Sequence, residues 1–141
     1  MNVWKWYAFA SAFFAGLTAI LGKIGVAGIN SNVATLIRTV VIFFLVLGIV
    51  LFRGEWQWPQ QMPSKSMTFL VLSGVATGLS WLFYYHALQL APASLVAPID
   101  KLSVAFAIVL GVVFLKETMD MQTALGGAMV VLGAVILAWQ R

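Results

Sequence analysis

The sequence contains no cysteine, and only 9% of its 141 residues are charged. A chain without thiols has no disulfide framework, no thiol chemistry and no thiolate metal site. Soluble domains carry about 25% charged residues, and a chain that is 62% apolar needs a comparable polar shell to remain in water. The shortage of charge therefore excludes a soluble domain and predicts a membrane protein whose outer shell is the lipid bilayer.

Other absences exclude further classes of protein. Eight Lys and Arg against four Asp and Glu give a net charge of +4, but they form no run of like charges that could bind nucleic acid. The sequence has no nucleophile triad, paired carboxylates, phosphate-binding loop or dinucleotide fingerprint, so we expect neither an enzyme nor a cofactor. One histidine and no cysteine make a poor ligand set, so we expect no metal site.

Long apolar runs separated by short polar breaks are what the sequence does contain. The breaks lie at residues 22–32, 53–65, 89–94 and 116–122. Because a spanning helix needs about 20 apolar residues, five spans remain, roughly at residues 4–24, 32–52, 66–88, 94–115 and 121–139. The runs do not alternate as barrel strands do. We predict an all-α polytopic protein, one transmembrane domain over residues 1–141, with its termini on opposite sides.

The first run is longer than the apolar core of a signal peptide, and similar runs follow it, so we interpret it as a retained helix. The basic residues divide almost evenly between the two faces. The N-terminal face receives Lys5, Arg53, Lys65 and Lys116, and the other receives Lys23, Arg38, Lys101 and Arg141. If Arg38 and Lys101 count as lying inside helices, four basic residues on the N-terminal face stand against two on the other. This excess indicates that the N-terminal face is cytoplasmic. The near balance fits insertion in both orientations as well as one weakly biased orientation.

Ionisable residues inside the spans are the first candidates for function. Arg38 falls in the second span, and Asp100 and Lys101 fall near the start of the fourth. Both spans begin at the same face, where Lys23 ends the first span and His86 ends the third. Charges in a bilayer usually face a cavity or a partner. The excess of positive charge suits an anionic substrate group; alternatively, Asp100 only neutralises a basic neighbour and Lys23 extends to the headgroups.

The third span carries small hydroxyls and aromatic rings along one helical face. Ser73, Thr77, Ser80 and Tyr84 follow helical spacing, and Trp81 and Tyr85 flank them. Such a stripe can line a path for a solute, and it can equally serve helix packing, aided by Gly74 and Gly78 in a G-x-x-x-G arrangement. The candidate substrate-binding residues are Arg38, Asp100, Lys101, Thr77, Trp81, Tyr84 and His86.

Residues 87–127 carry a family resemblance. Ala87 and Leu88 end the third span, Leu115 to Glu117 follow the fourth, and Gln122 to Gly126 open the fifth. This pattern resembles the EamA-like half of the drug/metabolite transporter superfamily, and LTAILGKIGV upstream and the five-span layout fit it too. The resemblance implies half of a ten-helix carrier built from two units in opposite orientations. Asp100, Lys101 and Leu102 depart from the pattern, since many members have an apolar stretch with proline there.

The resemblance and the charges together give one leading hypothesis. We expect an antiparallel homodimer that moves a small organic metabolite by alternating access, in the inner membrane of a bacterial or archaeal cell. An anionic or zwitterionic solute is favoured over a cation, since the first span has no carboxylate of the kind that small multidrug exporters use. The alternatives are a lipid-linked phosphate flippase, a non-transporting assembly subunit, and a heterodimer with a second half.

Overall fold

A computed structural model of the chain describes residues 3–58 and 62–139, and all the regular structure within them is helical. The helices are α1 (Val3–Gly25), α2 (Ser31–Phe52), α3 (Ser64–Leu90), α4 (Ala93–Asp100), α5 (Ser103–Leu115) and α6 (Met121–Ala138). Five segments are long and apolar enough to cross a membrane, with α4 and α5 together forming the fourth. The prediction of a five-span, all-α membrane protein is confirmed. Arg141, which entered the charge tally, lies outside the described residues.

Local sequence signals determine where several helices begin and end. The side chain of Asn30 accepts a hydrogen bond from the N–H of Asn32 at 2.8 Å and caps α2. Asp120 caps α6 in the same way, because its Oδ1 accepts from the N–H of Thr123 at 2.7 Å. Helix α5 ends where Lys116 adopts a left-handed conformation with φ of 55°.

The fourth span, which the sequence predicted over residues 94–115, consists of two helices, α4 and α5. Pro98 lies inside α4 and has no N–H to donate, and its ring crowds the carbonyl one turn earlier. The backbone responds by tightening: Lys101 bonds to the carbonyl of Pro98, and Leu102 to that of Ile99. These three-residue spacings replace the four-residue bonds of an α-helix, so Lys101 and Leu102 separate α4 from α5.

The chain divides into two compact units. The first runs from the N-terminus to Lys23 and continues from Leu90 onward. Within it, α6 packs against both α4 and α5, and a small buried core includes Ala19, Ala93, Val96 and Ala134.

The second unit, Ile24–Gln89, contains α2 and most of α3. Its buried side chains gather where α2 begins and α3 ends, and Leu88 is fully buried there. The side-chain amide of Gln89 donates to the carbonyl of Ile29 at 2.6 Å, which ties the end of α3 to the loop before α2. This unit carries Arg38 and the aromatic residues of α3.

Most large apolar residues that the structure describes remain exposed on the single chain. The exposed fraction is 66% for Phe9, 63% for Phe44 and 76% for Phe83. The glycines of the G-x-x-x-G motif behave similarly, since a Cβ built on Gly74 or Gly78 meets no atom within 4 Å. Packing within the chain therefore does not explain these two glycines. Lipid or another protein surface must cover the exposed apolar faces.

Candidate functional site

The guanidinium of Arg38 stacks on aromatic rings of α3. Its Cζ lies 4.1 Å from the centroid of the Trp81 ring and 5.4 Å from that of Tyr85. Trp81 and Tyr85 are four positions apart and so share one face of α3, while Arg38 reaches them from the second turn of α2. Tyr85 is buried and Arg38 is half-buried, so the cation lies between two helices with part of its surface still accessible.

No carboxylate in the described residues balances this charge. The acidic residue that the second unit contains is Glu55, and it pairs with Arg53 at 3.0 Å beyond the end of α2. Inserting an arginine into a membrane costs about 2.5–3.5 kcal/mol on insertion scales, whereas a cation–π contact returns only about 0.5–2 kcal/mol. The contact with the rings therefore offsets only part of the free-energy cost of inserting Arg38 into the membrane.

A stacked guanidinium keeps its hydrogen-bonding capacity. The ring covers one face of the plane, while the N–H donors point outward along the edge of that plane. This edge matches a carboxylate or phosphate, which can accept two parallel hydrogen bonds. The participation of Arg38 and Trp81 in a substrate site stays a prediction.

The remaining stripe residues of α3 are placed less favourably for binding. Thr77 is exposed and donates its hydroxyl proton to the carbonyl of Ser73 at 2.9 Å, which leaves it only lone pairs to offer a solute. Tyr84 is half-buried, with its ring centroid 6.3 Å from that of Tyr85. The role of Thr77 and Tyr84 in lining a pathway stays a prediction.

His86 lies one position beyond Tyr85 and is exposed. Successive residues of a helix are separated by about 100° of rotation. His86 therefore lies on a different side of α3 from Tyr85. Its participation in a substrate site stays a prediction.

The other charged candidates belong to the first unit. Lys101 Nζ lies 3.4 Å from Asp100 Oδ2 at the break between α4 and α5. Lys23 Nζ donates to the carbonyl of Ala91 at 2.9 Å. The sequence predicted that Lys23 either joins the basic cluster or extends to the headgroups, and it did not predict this hydrogen bond. A single cluster that joins Arg38 to Asp100 and Lys101 stays a prediction.

Two residues of the second unit gained importance only from the structure. Tyr85 was interpreted as a flank of the hydroxyl stripe, yet its buried ring lies beside the guanidinium. Gln89 was counted only as part of a polar break, yet it bonds to the α1–α2 loop. The four-residue spacing from Trp81 through Tyr85 to Gln89 was the available signal, because these positions share one side of α3.

Comparison with known proteins finds a matching family and similar chains. Residues 2–139 match the model of the EamA-like transporter family. The chain is 50% identical over 135 residues to the "Uncharacterized transporter in cobO 3'region" of a Sinorhizobium species, with 96% of each chain covered. It is 30% identical over 74 residues to an uncharacterized protein of Methanocaldococcus jannaschii, covering 52% of this chain and 54% of that one. No solved structure matches.

Proposed function

Since the chain belongs to the EamA-like transporter family and is a multi-pass membrane transporter, we propose that it carries a small organic anion or zwitterion by alternating access. In this proposal two copies form an antiparallel homodimer in the cell (inner) membrane of a bacterium or archaeon. Arg38 binds the negative group of the solute, and Trp81 holds the guanidinium in its binding orientation.

The observation that carries the proposal is the stacked guanidinium of Arg38, which has no carboxylate partner among the described residues. A charge retained inside a span at a cost of about 2.5–3.5 kcal/mol marks a functional site by default. The edge of the guanidinium offers two parallel donors to a carboxylate or phosphate. A cationic solute would be repelled by the same group, so the site favours anions and zwitterions.

Three observations support the dimer. The Sinorhizobium relative is matched over 96% of its length, so it too is about as long as this five-span chain. An odd number of spans puts the ends of a unit on opposite sides, and an inverted second unit then completes a carrier with a site near the midplane. Finally, Gly74 and Gly78 leave an open strip on α3 where a second helix can approach closely.

Transport can be measured in proteoliposomes with radiolabelled glutamate as an anionic probe and serine as a zwitterionic probe. We expect the wild type to exchange at least one of them and Arg38→Ala to abolish that exchange. Arg38→Lys should restore it only in part, because an ammonium cannot form the bidentate contact. Arg53→Ala is the matched control, since Arg53 is exposed and pairs with Glu55. Equal exchange by Arg38→Ala and the wild type would remove Arg38 from the site.

The dimer has its own test. Leucine at Gly74 and Gly78 meets no atom of the chain near its Cβ, so the substitutions should leave the monomer folded and disrupt only association. Gly48→Leu on α2 is the control, because its Cβ position is also open but lies outside the motif. Cross-linking in membranes should show loss of dimer only for the α3 variants. A C-terminal reporter detected on one side of the membrane alone would exclude the antiparallel arrangement.

A lipid-linked phosphate is a second candidate substrate, because an apolar groove lies along α2 and begins one turn beyond Arg38. The groove has a volume of about 390 Å³ and is lined by Ile42, Phe43, Val46, Leu47, Val50 and Trp56. Ile42 is one turn beyond Arg38, so a phosphate at the guanidinium would place an attached chain along the groove. Flipping of a short polyprenyl phosphate, without exchange of glutamate or serine, would favour this candidate.

A further inference from the structure

Asp100 is unusual among the acidic residues of this protein. The sequence contains four Asp and Glu in all. Glu55, Glu117 and Asp120 lie in the connections between spans, whereas Asp100 lies inside the span Ala93–Leu115. At a rise of about 1.5 Å per residue, it is about 10 Å from the start of that span. A carboxylate at such a depth is costly and usually serves an ion or proton pathway.

Asp100 forms an ion pair at the break in the fourth span. Adjacent residues of an intact α-helix point in different directions and do not face one another. Here α4 ends at Asp100, and the turn at Lys101 and Leu102 brings the Lys101 ammonium within 3.4 Å of the carboxylate. The ion pair lies at the junction of α4 and α5, and both side chains remain partly exposed, Asp100 at 37% and Lys101 at 52%.

Helices α5 and α6 bring no charged side chain to Asp100. Helix α6, which packs against α4, carries no titratable residue along Met121–Ala138, and neither does α5 along Ser103–Leu115. Helix α1 contributes Lys5, Tyr7 and Lys23 to the unit, and Lys23 already donates to Ala91. Lys101 is the ion-pair partner that the structure gives to Asp100.

We propose that Asp100 is the proton-binding site of the carrier and that its protonation releases Lys101 to bind the anionic solute. A proton from water adds to Oδ2, the carboxylate becomes a neutral acid, and the ion pair is lost. The freed ammonium then favours an anion at the break, so proton and anion bind together and are carried in the same direction. A proton suits this site better than a metal ion, because the described residues contain no cluster of three metal-ligating side chains. This inference rests on the proposed function.

Proton binding can be tested without any solute, by infrared difference spectroscopy of the protein in nanodiscs between alkaline and acidic buffer. We expect the wild type to develop a carboxylic acid C=O band that Asp100→Asn lacks and Glu117→Gln retains. If Asp100→Asn gives the wild-type spectrum, Asp100 does not take up a proton in the folded protein and the inference fails. This outcome leaves the transport proposal standing.

Coupling is tested in proteoliposomes with glutamate as the probe and the membrane potential clamped. One proton carried with one monoanion should support about tenfold accumulation for a gradient of about one pH unit. We expect Asp100→Asn to lose this accumulation and the pH dependence of exchange, while Glu117→Gln keeps both. Accumulation by Asp100→Asn at the wild-type level would overturn the inference. Wild-type exchange that ignores pH would also overturn it, whereas absence of exchange of any probe would instead count against the proposed function.

Discussion

The contact between Arg38 and Trp81 can be measured as a coupling energy. Cation–π contacts stabilise proteins by about 0.5–1 kcal/mol at exposed sites and by about 2 kcal/mol when desolvated. Arg38 is half-buried with its Cζ 4.1 Å from the ring centroid, so we expect about 1 kcal/mol, which is a factor of about five in the folding equilibrium. Its removal should loosen the α2–α3 pair.

A double-mutant cycle isolates this energy from the packing that each side chain also contributes. Arg38→Met keeps most of the aliphatic stem, Trp81→Leu removes the ring, and each variant is unfolded in mixed micelles of increasing denaturing detergent. The sum of the two single losses should exceed the loss of the double variant by about 1 kcal/mol. Phe83→Leu replaces Trp81→Leu in the control cycle, since Phe83 is 76% exposed and has no described contact with Arg38. A coupling no larger than in the control would refute the stacking argument.

Three further substitutions test local structure in the first unit. Lys116→Gly should stabilise the folded protein to thermal unfolding by about 0.5–1 kcal/mol, because Lys116 occupies a left-handed conformation that glycine adopts without strain. The hydroxyl and backbone N–H of Thr123 hold the pKa of Asp120 below its ordinary value. The cap therefore stabilises α6 fully above the pKa of the unfolded carboxyl, and this stabilisation is lost as pH falls through the lowered pKa of the folded protein. In Asp120→Asn the melting temperature should lose this part of its pH dependence. A Cβ at Gly127 would lie 2.6 Å from Cδ1 of Ile108. Gly127→Ala should therefore lower the melting temperature by the equivalent of about 1 kcal/mol. Adding Ile108→Val removes the clashing methyl group and should restore the melting temperature.

Local sequence patterns predict the spans, the helix caps and the charged positions of this protein. Apolar runs long enough to cross a bilayer predict the five spans, because the cost of exposing backbone or charge to hydrocarbon depends on each segment by itself. The caps at Asn30 and Asp120 are local for the same reason, since a side chain there bonds to a backbone N–H only two or three residues away. Arg38 and Asp100 were recognisable as functional candidates because a charge inside a span is costly wherever it points.

The partner of Arg38 depended on tertiary structure. Nothing in the spacing of α2 shows that Arg38 stacks on Trp81, which lies more than forty residues further along the chain, because that contact requires both helices to present particular faces to each other. The break after Asp100 was obscured for a related reason: a proline can be accommodated by a kink or by separate helices, and the backbone bonds that form around it determine which. Sequence alone determined that this is a membrane protein with costly charges inside it, since burial in lipid is a property of single segments. Only the packing of the helices decided that Arg38 meets the Trp81 ring and that Lys23 meets the carbonyl of Ala91, since those contacts join segments that are distant in the chain.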